Sequence, residues 1–300
     1  SHPGTVILRG GTFNLSSGPI LITSDNVNLI IEGDATIYSP SGAVVDTFEN
    51  NQIGDPDITF MITTDGNDNV SIIHRGVIDC VAARSPIILK DGKNLSYIQE
   101  GGSWTAADSS AYDLACIWAV DVEGLYIPKL IYNRPDILGA STQTSLAPLT
   151  MEGVIGGYVG YLEVDRVDET IDVNFYCTDI HFGTIISRRP VGSAELIDMT
   201  DLIRSTFDYI YIDASEGDVQ KDYAIHIKTD GDQEDATADD GSSRLTQNLI
   251  PKNLRSSREL TFKKVHIKGG DDFDNSIIRL FTNSDLNEFN DIVFENLYVD

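Results

Sequence analysis

Basic residues are scarce: 21 Lys and Arg stand against 47 Asp and Glu, a net charge of −26. Phosphate-backbone binding rests on clustered Lys and Arg, so a nucleic-acid partner is excluded as the expectation. Long apolar runs are missing too. Stretches such as Ile58–Ile62 and Leu125–Tyr132 are strand-sized, well short of the roughly 18 residues a membrane helix needs. Cysteine is nearly absent. Cys80, Cys116 and Cys177 are odd in number and far apart, which gives neither a disulfide framework nor a zinc spacing; each lies in an apolar stretch and is expected to be a buried free thiol. Ser1-His2-Pro3-Gly4 leads straight into a strand pattern with no signal-peptide pattern in it, as is expected also of a mature or trimmed N-terminus, and no long helical period occurs in the sequence.

What the chain does contain is a recurrent unit. Leu125–Tyr132, Leu260–Ile267 and Ile292–Val299 each read apolar, x, apolar, x, x, apolar, x, apolar. Two short period-2 strands broken by a two-residue step give this pattern. Ile180–Ile185 opens the same way, and so do Val70–Ile72 and Leu95–Tyr97, each after an Asn. Val70 to Leu95 is 25 residues, Leu95 to Leu125 is 30, and Leu260 to Ile292 is 32. Leu125 to Ile180 is 55 and Ile180 to Leu260 is 80, near two and three copies of a 27-residue turn. Intermediate turns are expected near Val159–Val164, Tyr209–Ile212 and Ile225–Ile227. The spacing predicts an all-β fold, a right-handed single-stranded parallel β-helix forming one solenoid domain over residues 1–300. An antiparallel sandwich would need more Asn-Gly or Asp-Gly hairpin turns than the sequence shows. Residues 101–110 and 230–257 are polar, too long for tight corners, and expected to be loop insertions.

Gly4–Phe13, Gly18–Ile22 and Asn26–Ile37, followed by the strand–turn–Gly element of Asn69–Asp79, resemble the opening of the pectin-lyase-like superfamily, which includes polygalacturonases and phage tailspikes. The resemblance implies a polysaccharide or cell-surface glycan as partner, a place outside the cell or on a virion, and a homo-oligomer, with trimers common in tailspike-like members. Many members begin with a short capping helix that this chain lacks, and Asp300 falls in mid-coil, so the chain is expected to be part of a longer protein or to be capped by a partner.

For catalysis, the resemblance points to Lys228-Thr-Asp230-Gly and Gly269-Gly-Asp271-Asp272-Phe, which are similar to two carboxylate motifs of the polygalacturonase-like hydrolases. One protonated carboxyl would donate to the leaving oxygen while another activates water. The first motif has Lys in place of Asn, no Gly-His-Gly or Arg-Ile-Lys follows, and Asp230 and Asp271 are 41 residues apart. Plain Gly/Asp turns are the simpler account of both motifs. A lyase would instead want acidic Ca²⁺ ligands and a basic group. Ca²⁺ is the one cofactor the acidic turns leave open; Arg188 and Arg189 are the paired basic candidates. Those two arginines and Trp104, read as lying in a loop, are the candidate substrate-binding residues. His74, His181 and His226 sit singly on strand patterns and read as structural. Three functions stay open: a tailspike-like glycan binder with or without depolymerising activity, a secreted hydrolase or lyase, and a structural rod.

Overall fold

The computed structural model describes residues 4–39, 47–48, 58–79, 85–105, 116–133, 147–174, 176–191, 195–216, 223–229, 256–269, 273, 276–282 and 289–300. Asp230, Asp271, Asp272 and Cys80 lie outside them. The described residues contain no helix. They form a parallel β-helix of three sheets and one small antiparallel pair, Thr47–Phe48 with Ile58–Thr59.

Sheet A is the longest. Its strands follow each other in chain order from Gly4–Leu8 through Val27–Ile31, Ser71–His74, Lys93–Gln99, Glu123–Asn133, Ile155–Asp165, Thr178–Arg188 and Ile203–Asp213 to Arg258–Phe262 and Asn290–Phe294. Sheet C stacks nine strands, from Ile20–Ile22 to Ile278–Thr282, and the short sheet B stacks Gly11–Asn14, Ala35–Tyr38, Val77–Asp79 and Ser103–Thr105. Every pairing within these sheets is parallel, so each coil contacts only its neighbours.

The recurrent unit maps onto sheet A. Leu125–Tyr132 belongs to one eleven-residue strand that bends in its middle, in register with Ile155–Asp165, then Thr178–Arg188 and Ile203–Asp213. At the bend the coils come very close. A Cβ on Gly183 would lie 2.3 Å from the Gly160 carbonyl oxygen, and one on Gly160 2.7 Å from that of Pro128. Apolar positions on either side of the bend point inward and stack. Ile127, Val159, Phe182, Phe207, Phe262 and Phe294 form one column. In its second half the phenyl rings lie nearly parallel, with centroids 4.4, 4.6 and 4.4 Å apart. Sheet C contributes the facing columns, including Ile87, Ile117, Leu149, Ile171, Ile197 and Ile225, all fully buried. Each such side chain contributes about 1.5–3 kcal/mol by leaving water.

The corner from sheet C to sheet A uses left-handed backbone repeatedly. Asn26, Asn69, Asn94, Gly124, Gly156 and Asp179 all have φ between 54° and 80°. Asn, Asp and Gly tolerate that region best. The asparagines also link coils: Asn94 Nδ2 donates to Asn69 Oδ1 at 2.9 Å, and Asn69 Nδ2 to Asn26 Oδ1 at 3.2 Å. Arg204 takes the same conformation, φ 47°, and its guanidinium grips Asp179 of the coil below with two bonds of 2.8 and 2.7 Å.

Two expectations are corrected. From Ile180 to Leu260 there are two coils, not three: Ile180 stands one coil before Ser205, to which it is linked by its N–H, and Ser205 pairs directly with Leu260. Ile225–Ile227 is a strand of sheet C within the second of these coils, which is 55 residues long. Trp104 is not in a loop. It sits in the strand Ser103–Thr105, paired with Val77–Asp79, and is only 6% exposed. Cys116 and Cys177 are buried thiols, neither of them in a disulfide.

Candidate functional site

Two places on the solenoid hold polar groups that folding alone does not use up. The first is a cleft of about 250 Å³ where the end of sheet B meets sheet A, lined by Gln99, Gly101–Trp104, Lys129, Ile131 and Asn133. Gln99 holds its two walls together. Its amide nitrogen donates to the Gly102 carbonyl at 2.6 Å and its oxygen accepts from the Ile131 N–H at 2.6 Å. Behind the cleft, Trp104 packs edge-on against His74 and tilted against Tyr97. His74 Nδ1 bonds the Tyr97 hydroxyl at 2.6 Å, and burial pushes its pKa down to about 4. Gly102 is required here for close approach, since a Cβ would lie 2.4 Å from the His74 ring. The indole N–H of Trp104 is buried and has no acceptor, while Ser103, Lys129 and Asn133 are exposed on the rim.

The strand that carries Lys129 also begins an exposed aromatic row on sheet A. Tyr126, Tyr158 and His181 are register partners on successive coils. The two tyrosines are stacked at 5.6 Å, and His181 meets Tyr158 edge-on at the same distance. Ser96 and Ser71 precede Tyr126 in the row, so small residues leave that end of the stack open. Arg188 ends the strand Thr178–Arg188 of the same sheet, and Arg189 follows it. Arg188 Nε bonds Glu163 at 3.0 Å and Arg189 Nε bonds Asp165 at 2.8 Å, each to the previous coil.

The second place is the outward face of sheet C. One row of side chains there runs Thr63, Ile88, Trp118, Thr150, Asp172, Asp198, His226 and Arg279, one per coil. Ile88 and Trp118 pack with Phe60 and Val120 into a small apolar cluster. Beyond Thr150 the row turns ionisable without becoming open: Asp198 is 6% and His226 3% exposed. Lys228 Nζ donates to Asp198 Oδ2 at 2.6 Å, and His226 Nδ1 lies 3.1 Å from Glu195 Oε1 and 3.6 Å from Asp198 Oδ1.

The electrostatics follow from burial and neighbours. Burial, then the charges of Glu169, Asp198 and Glu152, hold the Asp172 carboxyl far above the usual range. Part of Asp172 reaches solvent, but its Oδ1 is fully buried without a hydrogen bond, and only Oδ2 accepts, from Asn174 at 2.6 Å. Burial also raises the Asp198 pKa, with Lys228 pulling the other way. The bond to His226 takes Glu195 down to about 2. Burial opposes the charge on Lys228, yet Asp198 leaves its pKa raised. Uncompensated buried charge is expensive and clusters at functional sites.

The sequence reading singled out Trp104, and the structure puts it in a cleft. It missed Glu195 and Asp198, met Lys228 only as a departure from a carboxylate motif, and took His226 for structural. Their one signal was polar residues alternating with the apolar ones in Ile197–Thr200 and Ile225–Thr229.

No protein-family model matches the chain, and no curated protein matches its sequence. Among solved structures, the chain is similar to a protein of Parabacteroides merdae described as a "putative glycosyl hydrolase", with a TM-score of 0.42 and 14% identity over 63% of this chain and 80% of that one.

Proposed function

We propose that this chain is a polysaccharide-binding β-helix protein acting outside the cell, on a cell or virion surface. In this reading it holds one sugar unit in the Trp104 cleft and lays the adjoining units along sheet A. The observation that carries the reading is the cleft itself, walled by Trp104 and rimmed by an ammonium, a hydroxyl and an amide. Sugars offer many hydroxyl donors and acceptors, which such a polar rim over an apolar wall can bind. The exposed Tyr126 ring, on the strand that also carries Lys129, adds a flat apolar surface of the kind a pyranose packs against.

The test is binding to an array of neutral and uronate-bearing oligosaccharides, followed by affinities for the best binder. Lys129→Ala removes the exposed rim ammonium, so affinity is expected to fall roughly 2- to 12-fold, the worth of one hydrogen bond. Tyr126→Ala should weaken binding of longer chains more than of single sugars. If no oligosaccharide binds, or both variants bind as well as the parent, the reading is wrong and the structural-rod alternative gains. Release of reducing ends in the same samples reports any cleavage.

A further inference from the structure

We propose that Glu195, Asp198 and His226 form a binding site for a first-row divalent metal ion, with Zn²⁺ as its reference occupant. The site is independent of the glycan-binding cleft and lies on a different sheet.

Three donor atoms converge within reach of one ion, where His226 Nδ1 and Glu195 Oε1 now share a hydrogen bond. One carboxylate oxygen from each acid and His226 Nδ1 all lie within 4.8 Å of one another. Ligands about 2.1 Å from a tetrahedral ion stand about 3.4 Å apart. The distances here, 3.1 Å from Nδ1 to Glu195 and 3.6 Å from Nδ1 to Asp198, bracket that value.

An independent observation points to a missing partner. Asp198 Oδ1, the oxygen that faces His226, is buried and accepts no hydrogen bond, in a residue only 6% exposed. Its other oxygen is held by Lys228, which fixes the carboxylate plane and leaves Oδ1 as the free donor. An acceptor in this state costs free energy unless a cation or proton meets it.

The backbone positions the ligands in advance. Asp198 and His226 are direct register partners on adjacent strands, so the ladder sets their separation. Glu195 comes from just before the strand Ile197–Thr200. The imidazole is held from the side by Tyr223, whose ring centroid is 5.1 Å away, and by Phe281 at 6.1 Å. Glu195 and Lys228 keep 22% and 27% of their side-chain surface exposed, which gives an ion its way in.

The donor set chooses the class of ion. Ca²⁺ and Mg²⁺ take oxygen donors, whereas one imidazole with two carboxylates suits Zn²⁺ and its first-row neighbours. Three protein ligands leave a coordination position for water or a ligand oxygen.

The experiment uses the full chain, stripped with EDTA and titrated with ZnCl₂ by calorimetry. Co²⁺ replaces Zn²⁺ in a parallel titration to report geometry through its visible d–d absorption. The expected result is one Zn²⁺ bound per chain with micromolar or tighter affinity and an intense four-coordinate Co²⁺ spectrum. Binding should weaken at least tenfold in His226→Gln and in Glu195→Gln. Glu195 precedes its strand and is partly exposed, so the second variant folds even if the first does not. Asp208→Asn, an acidic change on sheet A, should leave the affinity unchanged. Zn²⁺ binding that is absent in the parent, or equally strong in Glu195→Gln, overturns the proposal, as does an octahedral Co²⁺ spectrum that the variants share. None of these readouts involves glycan, so failure here leaves the glycan-binding reading standing, and the reverse holds too.

Discussion

Replacing Phe207 with Ala tests whether the solenoid is held coil to coil. Phe207 is 1% exposed, and its ring lies between Phe182 and Phe262 at 4.4 and 4.6 Å. Truncating a buried Phe costs about 3–5 kcal/mol, including the cavity it leaves. Two ring contacts are lost at once, each worth about 0.5–1.5 kcal/mol beyond burial, which puts the expected cost near the top of that range. Because coils couple only to neighbours, the loss should be local. Hydrogen-exchange mass spectrometry should show protection falling roughly 1,000-fold, the equivalent of about 4 kcal/mol, in Ile203–Asp213 and in the flanking strands Thr178–Arg188 and Arg258–Phe262. Val27–Ile31, several coils away, should exchange as before. Phe207→Leu, which keeps most of the volume but loses both ring contacts, should cost about 1–3 kcal/mol. A uniform loss of protection along the whole chain would refute nearest-neighbour coupling. A cost under about 1 kcal/mol for the Ala variant would refute the role given to the stack.

His74 makes stability fall in mild acid. Its folded pKa of about 4 lies below the ordinary 6.5, so the unfolded chain takes up the proton first and folding is penalised as pH drops from about 6.5 to 4. The full effect is about 3 kcal/mol, seen as a steeper fall of the urea midpoint between pH 7 and 4 in the parent than in His74→Gln; parallel slopes would contradict it. Gly183→Ala should destabilise by about 1–3 kcal/mol, although the glycine's φ is not left-handed, because its Cβ would meet the Gly160 carbonyl at 2.3 Å. Thermal melts of that variant would decide, and an unchanged midpoint would show that the bend can open.

Sheet A was legible because its inward positions repeat within one strand. The pattern Leu125, Ile127, Leu130, Tyr132 is a local property of eleven residues, set by the pleat and the bend. The number of coils was not. Register partners follow at 23 residues from Tyr158 to His181 and 25 from His181 to Thr206, but at 55 from Thr206 to Thr261, so a mean period miscounts. The sheet C site was hidden for another reason. Asp198 and His226 are 28 positions apart, close to the mean period, but the recurrent pattern belongs to sheet A, and nothing in it shows that Ile225–Thr229 pairs with Ile197–Thr200 on a different sheet. Trp104 was misplaced for a different reason. Its polar flanks read as a loop, and a three-residue strand carries too few alternations to reveal itself.

In-register stacking also has a mechanical side. Tension applied between the two ends loads the coils in series, so every coil-to-coil interface carries the same force and the weakest yields first. A coil of 23–25 residues releases about 80 Å of chain at roughly 3.4 Å per residue, and the 55-residue coil more than twice that. The molecule would pay out length in uneven steps, like a rope whose knots are unequally spaced. The long step would fall at the coil that carries His226.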